Sequence, residues 1–548
     1  MNPENNLFPK PSLWKPRSGT SNTSVLTDPH AFQDLAVIDQ HLPAEGYRLS
    51  ILENEVQVEV GSNAAIRFAR QHLLQLQGDH PERTPCGVLE DSPVFDRRAF
   101  MLDVSRCKVP TREGFRQWLN ILSGFRYNEL QLYTEHTFAY SNHEQVWKDA
   151  SPLTPEDITW LQQECEAYGI RLVPNQNCFG HFERWIKHAD YQHYAESPEG
   201  FITPWGDQRT VGSVLKPDDA SFALVCELLD ELLPLFNCDR VNIGCDETFE
   251  LGQGATKARC EKEGMGSVYA DFVQRIMTYV EETHAMKPEF WGDILVKYPE
   301  EIGKLSPAAT ALCWGYEADS PLAGDCVTYA KSGLPFTVCP GTSSWRSFAG
   351  RTENMIANIT QAAKATLDGE ADGMLLTDWG DCGHLQVEPV SYGPMSLFGL
   401  LAWQGPEASV EDAWAWCDKV AFEGQTGDTA CWLNAGRISE QTGISPPNAN
   451  LLFKWFLDPN LSEGESVSNQ TLSLLKENIE ELPRPSTFRE EWSHTLANLR
   501  LSIQRVEDHR NGTTFATEQL PEAQKNHARI WRKRNREGGL AESLETYT

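Results

Sequence analysis

Arg98-Ala-Phe-Met-Leu-Asp-Val-Ser-Arg106 opens the pattern that decides the fold. A short apolar run is followed by a helical stretch, and the alternation continues eight times. The runs cover residues 100–104, 129–133, 171–174, 240–244, 288–291, 309–314, 336–339 and 373–377. Amphipathic helices are predicted between them. One covers 155–168, with Thr154 as N-cap and Pro155 at the first helical position. Others cover 218–236, with Leu224, Leu228, Leu229, Leu232 and Leu233 on one face, and 270–284. Eight strand–helix pairs over roughly 300 residues predict an α/β architecture, the (β/α)8 TIM barrel. The competing doubly wound sheet would carry a glycine-rich first turn. Here the first run is followed by Ser105-Arg106-Cys107-Lys108.

Outward from this core, residues 93–405 are assigned to the barrel. A small N-terminal α+β domain is expected at 34–92. Residues 47–52 and 56–60 alternate like strands around Glu53-Asn54, and 63–77 carry a stripe of Ile66, Ala69, Leu73 and Leu76. Residues 1–33, rich in Pro, Ser, Asn and Thr, are expected to form a flexible arm. Residues 406–548 read as a C-terminal helical region with Trp414, Trp416, Trp432 and Trp455. Its basic stretch 529–536 reads as a solvated helix face.

The chain has 548 residues and a net charge of −31, which argues against nucleic-acid and anionic-membrane partners. None of the 14 cysteines forms a C-x-x-C pair, so zinc-ribbon and thioredoxin readings have no support. Cys245, Cys313 and Cys339 lie in apolar runs and read as buried free thiols of a reducing compartment. The first residues lack the apolar core of a signal peptide. No run approaches the ~18 apolar residues of a membrane helix. The expectation is a cytoplasmic protein.

A barrel of this kind carries its active site where the strands end. The first run is followed by Asp103 and Arg106, the second by Glu135, and the third by His181. The fourth delivers Asp246-Glu247. The fifth supplies Trp291 with Asp293, the sixth Trp314 with Tyr316, and the seventh Trp345. The eighth supplies Trp379 with Asp381 and His384. A single tryptophan at a strand end packs a barrel rim. Four at successive mouths suit a wall that stacks on a sugar, whose hydroxyls carboxylates and Arg106 would bind. Asp103 lies within its strand and is expected to hold Arg106. Adjacent acids cannot both face inward on a regular strand, but at the strand's end both can reach the mouth. Two carboxylates so close do not both ionise readily, so one pKa should rise, as a general acid requires.

These residues also carry a family resemblance. Arg240-Val-Asn-Ile-Gly-Cys-Asp-Glu247 resembles the Asp-Glu signature of family 20 glycoside hydrolases, the β-N-acetylhexosaminidases. Residues 98–106 look like that family's opening barrel strand, and Trp379-Gly-Asp381 like its ending on the eighth. The unit at 47–77 is similar to the domain preceding its barrel. The likeness spans roughly 45–405 and is nearest to the hexosaminidase D-like branch. It implies an exo-acting, retaining, substrate-assisted hydrolysis without cofactor or metal. Glu247 would be general acid and base, and Asp246 would polarise the substrate's 2-acetamido group. Arg106 and Asp381 would bind hydroxyls, and Trp291, Trp314 and Trp379 would line the acetamido pocket. The implied partner is a glycan with a terminal N-acetylhexosamine; a homodimer stays open. The sequence departs from the family pattern at 132–138, at Asn175-Gln-Asn-Cys-Phe-Gly-His181, and at Ser343-Ser-Trp345, where many members have a tyrosine. Tyr316 is the candidate for that tyrosine's role, with Tyr133 and Tyr392 as alternatives. Two other readings are a metal-dependent barrel hydrolase or isomerase using Asp246, Glu247, Asp293, His181 and His384, and a non-catalytic sugar-binding barrel.

Overall fold

The computed structural model describes residues 7–106, 108–458, 467–513 and 519–547. Its centre is a (β/α)8 TIM barrel. The eight strands are Arg97–Asp103, Glu129–Tyr133, Arg171–Val173, Arg240–Asn242, Lys287–Trp291, Thr310–Trp314, Phe336–Cys339 and Gly373–Asp378. All neighbours pair in parallel, and strand eight returns beside strand one. A parallel bridge between Asn175 and Asn242 closes the ring between strands three and four. Every residue of strands one, two and eight is buried, as expected for parallel strands covered on both faces.

Helices Arg112–Gly124, Pro155–Ala167, Asp219–Leu232, Met265–His284, Leu322–Ser332, Thr352–Asp368 and Pro389–Gln404 surround the strands. Thr154 and Asp157 form a capping box on the second of these. The eightfold pattern has one irregularity. After strand five the chain makes two 3-10 turns, Leu295–Lys297 and Pro299–Lys304, in place of an α-helix. Pro299, Gly303 and Pro307 deprive that segment of helix-forming sequence.

The N-terminal end of the barrel is plugged by ions. Arg97 lies 2.6 Å from Glu129 and 2.8 Å from Glu289, and Arg240 lies 3.3 Å from Glu289. Gln131 bridges to the same two carboxylates and to Asn175 and Asn242. The buried acids are thus paired and hydrogen-bonded, the condition under which burial is tolerated.

The small domain is a five-stranded sheet with helix Asn63–Gln77 packed on it. The expectation of a flexible arm is corrected over residues 7–33. Leu13–Ser21 is an edge strand, antiparallel to Thr84–Asp91, and Pro29–Leu35 is a helix. Its side chains are mostly exposed and its register shifts between Pro16 and Thr20. An edge strand with Pro and Gly carries no apolar alternation to read. The expectation for residues 1–6 lies outside the described residues. Trp403 of the last barrel helix joins the two units, donating to Asp91 at 2.8 Å under the guanidinium of Arg126.

The C-terminal region is helical, from Val410–Val420 to Leu540–Glu545; the expectation for 459–466, 514–518 and 548 lies outside the described residues. Its basic stretch is not wholly a solvated face. Arg534 bridges Glu388 and Glu491 at 3.1 and 2.8 Å, and Arg536 reaches Asp157 at 2.7 Å. Every described cysteine is free, and of these Cys382 is exposed. Among the described residues no helix is long and apolar enough to cross a membrane.

Candidate active site

Strand four ends at Asn242, and the next residues leave the extended conformation. Gly244, Cys245 and Glu247 have φ of 67, 71 and 50°. This left-handed stretch lets Asp246 and Glu247 turn together to the mouth, which strand alternation forbids. Such backbone is costly for non-glycine residues and persists where its surroundings hold it. Here Asn177 Oδ1 accepts from Cys245 N at 3.1 Å, Tyr269 donates to Cys245 O at 2.8 Å, and Glu247 N donates to Asp293 at 3.3 Å.

The two acids are treated differently. Asp246 accepts from Asn177 Nδ2 at 2.7 Å and faces His181 Nε2 at 3.1 Å. Burial works against its charge, but the His181 charge and the two hydrogen bonds outweigh burial and hold its carboxyl below the ordinary range. Glu247 lies farther from His181, at 3.6 Å. Burial raises its carboxyl above the ordinary range, and Asp246 adds to the rise against His181 and Arg106. Asp293, behind the pair, is pushed up to about 7 by burial and by the charges of Asp246 and Glu247. His181 is itself opposed by burial, yet Asp246, Glu135 and Glu247 lift it to about 10. It is an imidazolium among three acidic side chains.

Across the mouth, Arg106 gathers Asp103 and Glu135 at 3.3 Å each and Asp381 at 3.4 Å. Its guanidinium lies over the rings of Tyr133 and Trp379. Asp103 is fully buried, accepts from Ser105 N and Gly380 N, and so ties the strand-eight loop to Arg106. Tyr133 donates to Glu135 at 3.0 Å.

An aromatic cluster separate from the main core floors the site. It contains Tyr133, Trp291, Tyr316, Trp345 and Trp379, with Trp314 packed against it. Trp314 stacks on Tyr316 at 5.1 Å, and Trp291 meets Trp379 at 6.1 Å. Among the described residues the indole N–H groups of Trp291, Trp314 and Trp379 have no hydrogen-bond partner. Trp345 is 1% exposed, donates to Asn448 and meets Tyr316 edge-on, so it backs Tyr316.

The structure therefore brings Asp246, Glu247, Arg106, Glu135, His181, Trp291, Trp314, Tyr316, Trp345, Trp379 and Asp381 to one end of the barrel. Two other residues lie elsewhere. Tyr392 is buried in the last barrel helix among Trp118, Phe422 and Phe488. His384 turns beneath its loop, where Lys108 donates to its carbonyl, and burial, with the Lys108 charge, holds it well below the usual histidine range. Among the described residues, no group of three or more His, Cys, Asp or Glu is placed to hold a metal ion.

Sequence reasoning missed three residues. Asn177 orients Asp246, but an asparagine in a strand-end loop looks like any solvated loop residue. Trp205, 61% exposed on the hairpin 201–209, and Phe249 meet edge-on at 5.6 Å. With Arg106, Glu135, His181 and Glu247 they line a cavity of about 290 Å³. The signal that could have found Phe249 is its place two residues after Glu247. An apolar cavity of about 420 Å³, lined by Asp293, Trp314 and Tyr316, begins on the other side of Phe249.

Paired acids, a guanidinium cluster and an indole floor thus meet at the mouth of a parallel barrel. Residues 95–345 match the family described as glycosyl hydrolase family 20, catalytic domain. That match falls on the barrel and covers a little under half of the chain. The chain is 24% identical over 282 residues to human hexosaminidase D, covering 47% of this chain and 55% of that protein. It is 22% identical over 342 residues to a β-hexosaminidase of Akkermansia muciniphila, covering 56% of this chain and 65% of the relative. The chain thus spans less than two thirds of either. Among solved structures, a β-N-acetylhexosaminidase from Bacteroides fragilis superposes with a TM-score of 0.60 at 16% identity. That match covers 77% of this chain and 96% of the other. A Flavobacterium johnsoniae chitobiase superposes at 0.61 with 15% identity, over 100% of this chain and 99% of its own. At these identities the likeness is one of fold.

Proposed function

We propose that this chain is an exo-acting β-N-acetylhexosaminidase that releases terminal β-linked GlcNAc or GalNAc from glycans with retention. The observation that carries the reading is the split between adjacent acids, with Asp246 held as a carboxylate by His181 and Asn177 while Glu247 is raised. A general acid must carry a proton near working pH, and a group that orients an acetamido N–H must not.

In this reading the substrate's acetamido oxygen attacks C1 and the aglycone oxygen leaves with the proton of Glu247. The product of that step is an oxazolinium ion, whose N–H donates to Asp246. Glu247, now a carboxylate, takes a proton from water as the water attacks C1, and the oxazolinium reopens to the acetamido group. Trp291, Trp314 and Trp379 enclose the acetamido methyl, Tyr316 supplies a hydroxyl to the acetamido oxygen, and Trp345 backs Tyr316. Arg106, Glu135 and Asp381 bind hydroxyls of the terminal sugar. His181 supplies positive charge to Asp246 and Glu247. No step calls for a metal or cofactor.

Nitrophenyl β-GlcNAc and β-GalNAc, with β-glucoside as control, test the reading. The N-acetylated substrates should turn over, the glucoside should not, and a thiazoline analogue of the oxazolinium should inhibit. Glu247→Gln should lose most activity with the fold kept. Comparable hydrolysis of the glucoside, or substantial turnover by Glu247→Gln, would sink the proposal.

A further inference from the structure

The strand-eight loop that carries Asp381 has an unusual backbone. Cys382, Gly383 and His384 have φ of 58, 88 and 53°, three consecutive left-handed residues of which two are not glycine. A turn of this kind persists only where its surroundings over-determine it. From inside the barrel, Gly380 N donates to Asp103 at 2.9 Å and Gln386 Nε2 to Trp379 O at 2.7 Å. Lys108 donates to Gln386 O at 2.9 Å. From outside, the tie comes from the last helix of the chain, where Ser543 Oγ donates to Gly383 O. A Cβ on Gly383 would lie 2.7 Å from Thr546 Cγ2, so the two segments are in close contact.

The same C-terminal segment, residues 534–547, holds the other loops around Arg106. Arg536 N donates to Val109 O at 2.8 Å and Thr111 N to Arg534 O at 2.7 Å, which fixes the loop after strand one. Arg536 Nη1 donates to Pro152 O at 2.7 Å and Gly538 N to Ser151 Oγ at 2.8 Å, which fixes the loop after strand two. Glu542 pairs with Arg184 of the loop after strand three at 2.6 Å. The segment is anchored beneath by buried polar groups. Tyr547 is 1% exposed, its hydroxyl accepts from Asn498 at 3.1 Å, and His527 Nε2 lies 2.8 Å from Ser543 Oγ. The braced loops are those of Arg106, Glu135, His181 and Asp381. The loop of Asp246 and Glu247 is held instead by Asn177, Tyr269 and Asp293.

We propose that residues 534–547 brace the half of the site that binds the terminal sugar's hydroxyls, and that Ser543 is the positioning residue that sets Asp381 against Arg106. The inference rests on the assignment of Arg106 and Asp381 to those hydroxyls. Ser543 touches no substrate, so its effect falls on recognition of the sugar and leaves the acid pair as it is.

The test compares Ser543→Ala, Ser543→Thr, Asp381→Asn and the Ser543→Ala/Asp381→Asn double variant on nitrophenyl β-GlcNAc, with N-acetylglucosamine as competitive inhibitor. KM is a property of the folded fraction, so partial unfolding does not imitate a change in it. Ser543→Ala should raise KM and the inhibition constant by up to about tenfold, the size of one hydrogen bond to a charged group. Its kcat and both limbs of its pH profile should stay put, Ser543→Thr should restore KM, and the double variant should be no worse than Asp381→Asn. An unchanged KM in Ser543→Ala, beside a raised KM in Asp381→Asn, overturns the brace. So does a loss confined to kcat or a moved pH limb. An unchanged KM in Asp381→Asn overturns the hydroxyl assignment itself, and the brace with it.

Discussion

Replacing His181 by glutamine removes one charge from the centre of the site and keeps a neutral donor. In the native protein His181 lies 3.1 Å from Asp246, 3.6 Å from Glu247 and 3.6 Å from Glu135, with most of its side chain buried. Burial opposes its charge, and the three acidic side chains nonetheless lift it to about 10. Against an unfolded histidine near 6.5, that shift is worth roughly 4–5 kcal/mol at about 1.4 kcal/mol per unit. The sign follows from proton linkage. A raised basic group stabilises the fold fully below its unfolded pKa, and the gain disappears as pH rises towards the folded one. His181→Gln should therefore be destabilised most below about pH 6.5, by roughly half as much near pH 8, and by little near pH 10. Urea unfolding of both proteins at pH 6, 8 and 10 measures the difference. The same variant should lose activity at neutral pH by about 100-fold, because Asp246 loses the countercharge that keeps it ionised. A destabilisation that does not vary between pH 6 and 10 would refute the reasoning, since it would mean that His181 is neutral in the fold.

Asp293→Asn removes the negative charge behind Glu247 that develops near pH 7, so the basic limb of the kcat/KM profile should move to lower pH. Because burial raises that carboxyl in the fold, ionising it costs stability, and the variant should gain on the native protein at pH 8 while matching it near pH 4. Asn177→Ala takes away the 2.7 Å hydrogen bond to Asp246; kcat/KM should fall about tenfold, for a charge-assisted bond, and the acidic limb should rise. Arg97→Met leaves Glu129 and Glu289 with Arg240 alone as their shared countercharge at the far end of the barrel. Denaturant unfolding should show a loss of about 3–5 kcal/mol, with KM and both pH limbs unchanged.

What could be read from the sequence, and what could not, follows from which atoms carry each contact. The barrel was legible because parallel strands buried on both faces must be written as apolar side chains, and eight such runs at regular intervals leave little choice of fold. The rim was legible because Trp291, Trp314, Trp379, Arg106 and Asp381 are chemically distinctive and stand directly after those runs. That one of two adjacent acids should have a raised pKa also followed from proximity. Which one does depends on His181, 65 residues away from Asp246 in the chain, and on Asn177 beside it. The edge strand Leu13–Ser21 was not legible because its pairing uses backbone N–H and C=O groups that every residue offers. The same reason hides the C-terminal brace. Its acceptors are the carbonyls of Val109, Pro152 and Gly383, and its donors are a backbone amide, an arginine and a serine of ordinary appearance. A contact written in backbone atoms leaves no residue type behind it. A region whose sequence suggests only helix is therefore not thereby shown to stand apart from the chemistry, and here the helical tail ends on the loop that presents Asp381.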